Sequence, residues 1–204
     1  MHQRLQNDRG IVKGLDPEGV DYRSRSKLRR RKYYAKGPNF IWHIDGYDKL
    51  KPFGFCVHGA IDGYSRRIMW LEVGPSNSDP QITSHYFIDC IRQVDGVPRV
   101  IRGDCGSENF YIAAIQRYLR KDHQDSMAGV KSFLYSKSTA NQRIEAWWST
   151  LRKTNTNWWI NYFKDMRDRG MYNSGDLIQS NCLQFCFMLY VNCIQSPKTG
   201  ICIK

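Results

Sequence analysis

The sequence has no apolar run long enough to cross a membrane and no cysteine or histidine spacing typical of zinc sites. None of its seven cysteines forms a CxxC pair, and its five histidines form no HxxxH or His-Cys pattern. A membrane-spanning helix needs about 20 consecutive apolar residues, and structural zinc needs closely spaced Cys and His ligands. We therefore expect no membrane span, no structural zinc and no disulfide framework, and the polar N-terminus predicts no signal peptide.

Acidic residues are also scarce, with 19 Asp and Glu against 31 Lys and Arg and a formal net charge of +12. The basic run 23–32 (RSRSKLRRRK) contains no acidic side chain. Neutralising phosphates releases counterions, so this charge favours DNA or RNA as the partner, with Arg29, Arg30, Arg31 and Lys32 as candidate contacts. The same run could be a nuclear address, which predicts a location in the nucleus, or a tail kept for solubility, and the sequence does not separate these roles.

A chain of 204 residues, 41% of them hydrophobic, can bury the core of one domain. The turn residues Gly37-Pro38-Asn39 precede the first apolar block. We therefore divide the chain into a basic N-terminal arm (1–36), a core (37–160) and a C-terminal helical extension (161–204).

Short apolar runs bounded by turn residues predict five strands, and apolar residues three or four apart predict three helices. The predicted strands are 40–47, 53–61, 68–73, 97–102 and 130–135, and the predicted helices are 79–94, 107–120 and 139–159. Short turns join the first three strands, which are expected to be antiparallel, whereas helices separate the last two, which are expected to be parallel. The order predicts an α/β fold with a mixed five-stranded sheet flanked by helices.

Helical spacing also predicts which side chains face the core. In the second helix these are Tyr111, Ile115, Tyr118 and Leu119, and in the third they are Ile144, Trp148, Leu151, Asn155 and Trp158. Trp147, Trp148, Trp158 and Trp159 are expected to pack against apolar neighbours rather than stack on bases. Glu145 falls outside the buried stripe of its helix.

Three acidic residues stand in contexts that could bring their carboxylates together. Asp45 interrupts an apolar strand, Asp104 follows the strand 97–102, and Glu145 lies on the third helix. In α/β sheets, ligands gather at the carboxyl ends of strands. Asp104 alone could cap a turn and Glu145 alone could be an ordinary surface residue, so only the combination is persuasive.

Carboxylates crowded into one cleft repel each other unless a cation lies between them. Magnesium prefers oxygen ligands and keeps sites open for phosphate. Two such ions about 3.5–4 Å apart can activate an attacking oxygen and stabilise a leaving one. The three acids therefore predict phosphodiester chemistry, with Asp45 bridging both ions and Asp104 and Glu145 each holding one.

Polar residues around Glu145 could grip a phosphate backbone. The candidates are Lys137, Asn141, Gln142 and Arg152. The alternative is an ordinary solvated helix surface.

The motifs that carry these acids resemble the integrase core of retroviral integrases and DDE transposases, over about 36–159. They are WHIDG, AIDGYSRRI, DCGSEN as an Asp-x-Gly-x-Glu element, and NQRIEAWWSTLRK as an Asn-x-x-x-Glu helix. WHIDGYDKLKPFG is most similar to integrase core proteins derived from mobile elements in eukaryotic genomes. The resemblance implies a ribonuclease H-like fold and a DNA polynucleotidyl transferase, in which Asp45, Asp104 and Glu145 bind Mg²⁺ or Mn²⁺ as two ions. It also implies a homo-oligomer on DNA.

The sequence departs from that family at several points. Cys105 and Ala146 stand where many relatives have Asn and Arg, and the zinc-binding His-His-Cys-Cys module is absent. The arm 1–36 would be the remnant of a DNA-binding domain. The C-terminal helical extension would be truncated. Two alternatives stay open: a host-captured nucleic-acid-binding module without catalysis, and a metal-dependent ribonuclease.

Overall fold

The structure is a computed structural model that describes residues 33–137 and 140–195, with side chains up to Val191. The candidate contacts Arg29, Arg30, Arg31 and Lys32 lie outside the described residues. The described residues from Ala35 onward form one compact unit. The arm and the proposed domain boundaries therefore remain predictions.

The centre of this unit is a five-stranded sheet. Its strands are β1 (Ile41–Tyr47), β2 (Cys56–Asp62), β3 (Ile68–Gly74), β4 (Val100–Gly103) and β5 (Phe133–Tyr135). They lie in the order β3-β2-β1-β4-β5. The first three strands pair in antiparallel fashion, and β4 pairs parallel to both β1 and β5. The predicted mixed sheet is therefore confirmed.

β2, β4 and β5 each begin three residues later than predicted, and before β2 and β5 a tight helical turn replaces the first strand residues. Lys51–Phe53 form a 3₁₀ turn before β2 and Gly129–Ser132 form another before β5. Pro52 has no N–H to give to a strand ladder. Gly54 closes the first turn with a φ of 83°, which favours glycine.

Helices cover both faces of the sheet. They are α1 (Pro80–Gln93), α2 (Phe110–Leu119), α3 (Gln142–Leu151), α4 (Asn157–Asp168) and α5 (Leu177–Gln195). Side chains of α1 and α2 pack with Trp42 and Ile44 on one face, whereas α3, α4 and α5 pack with Tyr47 and Val57 on the other. None of the helices in the described ranges has the length and apolarity that a membrane span requires.

The start of α1 has the capping chemistry that is typical of helix N-termini. The Asp79 carboxylate accepts a hydrogen bond from the Gln81 backbone N–H at 2.8 Å, and Pro80 is the first helical residue. Both features are favoured at helix N-termini because the first N–H groups have no partner within the helix.

The predicted inner face of α2 is only partly correct, because, of its four residues, only Ile115 packs, half-buried, against the core. Ile112, Ala113 and Gln116 are buried, whereas Tyr111, Tyr118 and Leu119 are exposed. Gln116 is held inside by donating its amide to the Pro98 carbonyl at 2.8 Å. The helix therefore buries aliphatic and amide side chains, and its aromatic rings remain at the surface.

The third predicted helix contains a π-helical turn at Arg152–Thr156. A π turn uses an extra residue, so every later side chain rotates to a new face. Thr156 and Trp159 are buried instead of Asn155 and Trp158, and Trp158 is 59% exposed. The expectation that Trp158 packs in the core is therefore wrong, whereas Trp148 is buried as predicted.

Candidate active site

Asp45 lies on the central strand β1, on the face covered by α3. Trp42 and Ile44 point to the opposite core, and Tyr47 packs in the same cluster as Trp148 of α3. The Trp148 indole Nε1 donates a hydrogen bond to Asp45 Oδ2 at 3.0 Å, and its ring stacks on Tyr47 with centroids 5.0 Å apart. The half-buried Asp45 carboxylate is thus fixed by a side chain one helical turn from Glu145.

Asp104 follows β4, the parallel neighbour of β1. His43 on β1 is opposite Arg102 on β4, so Asp45 and Asp104 each lie two residues beyond a matched pair. The Asp104 carboxylate accepts hydrogen bonds from Asn109 Nδ2 at 2.8 Å and from the Gly106 N–H at 3.2 Å. It therefore also organises the turn that follows the strand.

Glu145 is exposed on the first turn of α3 and faces an open cleft of about 450 Å³. The cleft is lined by Asp45, Gly46, Tyr47, Asp48, Lys49, Glu145, Trp148, Ser149 and Arg152. Two of the three predicted acids therefore share this cleft, whereas Asp104 is not among the residues that line it.

The electrostatics link all three acids. Burial, together with the negative charges of Glu145 and Asp104, raises the pKa of Asp45 from 3.8 to about 7, against the opposing hydrogen bond from Trp148. Both neighbouring acids therefore act on the Asp45 carboxylate. Within the described residues, however, no group of three Asp, Glu, His or Cys side chains is placed so that it could hold one metal ion.

Glu108 is a further acid at the site that the prediction did not select. Burial and the neighbouring Asp104 charge raise the pKa of Glu108. The Asn109 amide donates to Asp104 Oδ1 and, at 3.3 Å, to Glu108 Oε1. A methyl group on Gly106 would overlap the Glu108 carboxylate, so a larger residue here would displace that side chain. The Asp-x-Gly-x-Glu spacing was the sequence signal for this arrangement.

Asn141, a predicted DNA contact, is buried and bonded within the protein. Its Nδ2 donates to the Ile44 carbonyl at 2.8 Å, and its Oδ1 lies 2.7 Å from His43 Nδ1. Burial lowers the pKa of His43 to about 4, so the ring is neutral and donates to Asn141. Asn141 thus ties the start of α3 to the residues next to Asp45, and its side chain is not placed to contact DNA.

The other predicted contacts are on the surface. Arg152 lines the cleft, and Gln142 and Lys137 are exposed near the start of α3. Their positions are compatible with contacts to a phosphate backbone, which stay predictions.

Comparison with known protein families shows which family the chain belongs to. A sequence model of the integrase core domain matches residues 32–196. The chain belongs to the integrase core domain family. Its sheet order and flanking helices are the ribonuclease H-like fold of an integrase core. The match includes α4 and α5, beyond Trp159, where the motif resemblance ended. A search of curated proteins found no match.

Proposed function

We propose that this integrase core is a DNA polynucleotidyl transferase that cleaves and joins phosphodiesters, as in DNA integration. The observation that supports this most is the electrostatic coupling of Asp45 to both Glu145 and Asp104 beside an open cleft. A carboxylate whose pKa is raised by burial and by two neighbouring acids, as that of Asp45 is, is typical of functional sites; Asp45, Asp104 and Glu145 are therefore taken together. We assign them as the catalytic acids.

The donor set fits a divalent cation of the magnesium type. All three acids offer oxygen ligands, and a cation would offset the repulsion that raises the pKa of Asp45. We propose that Asp45, Asp104 and Glu145 hold Mg²⁺ or Mn²⁺, as two ions, after Asp104 exchanges its hydrogen bond from Asn109 for the metal. The bound ions would supply charge stabilisation for the attacking and leaving oxygens.

The remaining side chains of the cleft would position DNA. Arg152 and Lys49 place positive charge beside the acids, where they can hold a phosphate backbone. Trp148 keeps the Asp45 carboxylate in one orientation. A water molecule or a DNA 3′-hydroxyl attacks phosphorus, a new P–O bond forms as the old one breaks, and no covalent enzyme intermediate arises.

DNA is accordingly the proposed partner, bound by a homo-oligomer when two ends are joined, and the nucleus is the proposed location. The net charge of +12 and the basic run 23–32 support both proposals.

A second candidate is a binding module that keeps the fold but does no chemistry. One observation favours it: the described acids are not arranged around a common metal position. If the protein is an enzyme, a bound cation should bring Asp104 closer to Asp45. If it is a binding module, no such movement is expected.

A nicking and strand-joining assay with labelled DNA and Mg²⁺ or Mn²⁺ separates these functions. We expect turnover by the full chain, none by Asp104→Asn, and normal turnover by Asp168→Asn, which changes an exposed acid on α4. DNA binding without turnover in all three proteins would support the binding module. Preferential cutting of an RNA–DNA hybrid would instead identify a ribonuclease.

A further inference from the structure

A second cavity lies on the opposite side of α3 from the acidic cleft. It has a volume of about 410 Å³ and is lined by Ile61, Arg66, Arg143, Ala146, Trp147 and Thr150. We call it the arginine pocket. Each helical residue turns about 100° from the one before it, so Arg143, Trp147 and Thr150 share one face of α3, while Glu145 faces the cleft on the other. A pocket of this size can hold a small ligand.

Arg66 lines the pocket from a turn between β2 and β3 that is stabilised by hydrogen bonds. The buried Asp62 carboxylate accepts hydrogen bonds from the Asn39 N–H at 2.9 Å, the Ser65 N–H at 2.7 Å and the Ser65 hydroxyl at 2.6 Å. Arg66 itself has a φ of 63°, a left-handed conformation that a non-glycine residue keeps only where its surroundings fix it. The arginine is therefore presented from a fixed backbone.

Two residues of α3 form the opposite wall of the pocket. Arg143 and Trp147 are four residues apart, which places them side by side on α3. Both are half-buried, and Trp147 packs edge-on against Trp148 with ring centroids 5.2 Å apart. One wall thus presents a guanidinium beside an indole ring.

The chemistry of this lining fits a nucleotide. Among the described residues, none that lines the pocket carries a carboxylate, and a planar guanidinium can bind a phosphate with two parallel hydrogen bonds. The indole offers a surface on which a base can stack. An acidic peptide could bind the arginines but would make no use of the indole ring, and a base that is paired in a duplex has no free face to stack on it.

We propose that the arginine pocket binds one unpaired nucleotide of a DNA strand, with Arg66 and Arg143 on the phosphate and Trp147 on the base. The choice of DNA rests on the proposed function, but the site does not depend on catalysis. The catalytic cleft and the arginine pocket would then hold DNA on two sides of one helix, which suits a strand that is opened near the reacting phosphate.

The test is photocrosslinking of the full chain, in EDTA, to a single-stranded oligonucleotide that carries 5-iododeoxyuridine, followed by peptide mapping. We expect a crosslink at Trp147, reduced about tenfold by Arg66→Gln and unchanged by Arg67→Gln, the exposed neighbour on the same turn. Trp147→Leu should lose the crosslink, whereas Trp147→Phe should retain it through its ring. Equal melting temperatures of these variants would show that the fold is kept.

Equal crosslinking in Arg66→Gln and Arg67→Gln, or crosslinks only in the basic run, would overturn the proposal. Suppression by thymidine monophosphate at the same nucleotide concentration would show that free nucleotide is the ligand, and suppression by polyglutamate would show an acidic-chain site. Either result also overturns it. Because EDTA prevents turnover, these outcomes are independent of the nicking assay, whose failure would leave a Trp147 crosslink intact.

Discussion

The Asp45 carboxylate is under opposing influences that decide when it can bind a cation. Burial and two neighbouring acids favour its protonated form, while the indole of Trp148 favours the charged form. An acid whose pKa rises on folding stabilises the metal-free protein fully below its unfolded pKa of 3.8, and this contribution is lost as the pH rises through about 7. Metal binding must follow the reverse trend, because it needs the ionised carboxylate.

Metal affinity should therefore depend on pH near neutrality. Below pH 7 a cation must displace a proton from Asp45, so the apparent affinity for Mn²⁺ should fall about tenfold for each pH unit and level off above pH 7. Titration of Mn²⁺ against the melting temperature, at pH 6 and pH 8, measures this. The Asp45→Asn variant should show no Mn²⁺-dependent shift, and equal affinity of the unaltered protein at both values would contradict the assignment.

The hydrogen bond from Trp148 to Asp45 can be tested separately from the packing of the Trp148 ring. Trp148→Phe keeps a ring against Tyr47 but removes the N–H that binds Asp45. We expect about a tenfold lower nicking rate, since a hydrogen bond to a charged group contributes about 1.5 kcal/mol. The control is Trp159→Phe, because among the described residues the buried Trp159 Nε1 has no hydrogen-bond partner. Equal rates in both variants would mean that Trp148 only packs.

The helix pair α3 and α4 shows what helical spacing can and cannot predict. Ile144, Trp148 and Leu151 are buried as their spacing indicates. The π turn that follows contains RKTNT, which has no proline or glycine to mark a break, so its extra residue is invisible in the sequence. It becomes evident only in the tertiary packing, where the buried Trp159 contacts Phe187 of α5.

Two adjacent tryptophans test the π turn directly. Trp159→Ala should lower the free energy of unfolding by about 3–5 kcal/mol, because it empties a buried site. Trp158→Ala should cost about 1 kcal/mol, since Trp158 is exposed and loses its ring contacts with Tyr162 and Trp159 rather than a buried site. Urea unfolding measures both. A regular α-helix would give the opposite ranking.

Tertiary contacts explain why parts of the site were not predictable. The sheet could be predicted because turn residues and alternating strands and helices are local signals. The nearness of Asp45 and Asp104 followed from the parallel pairing of β1 and β4. The inward position of Asn141 depends instead on His43, nearly a hundred residues away in the chain, and no local pattern reports such a contact.

The distribution of charge across the whole chain leads to a prediction about DNA binding. The chain carries a net charge of +12, concentrated in the basic run 23–32. Deleting that run should weaken DNA binding and reduce the dependence of affinity on salt, by about 0.9 in the logarithmic slope for each phosphate that is no longer neutralised. Fluorescence anisotropy across a salt series measures the slope. An unchanged slope would show that the run does not bind DNA.

The most direct test of the metal-dependent integrase site is a crystal structure with Mn²⁺ and anomalous diffraction. We predict two anomalous peaks, one between Asp45 and Asp104 and one between Asp45 and Glu145, with carboxylate oxygens about 2.1 Å from each ion and Asp104 released from Asn109. No peak at the cleft under saturating Mn²⁺, with Asp104 still bonded to Asn109, would contradict the proposed chemistry.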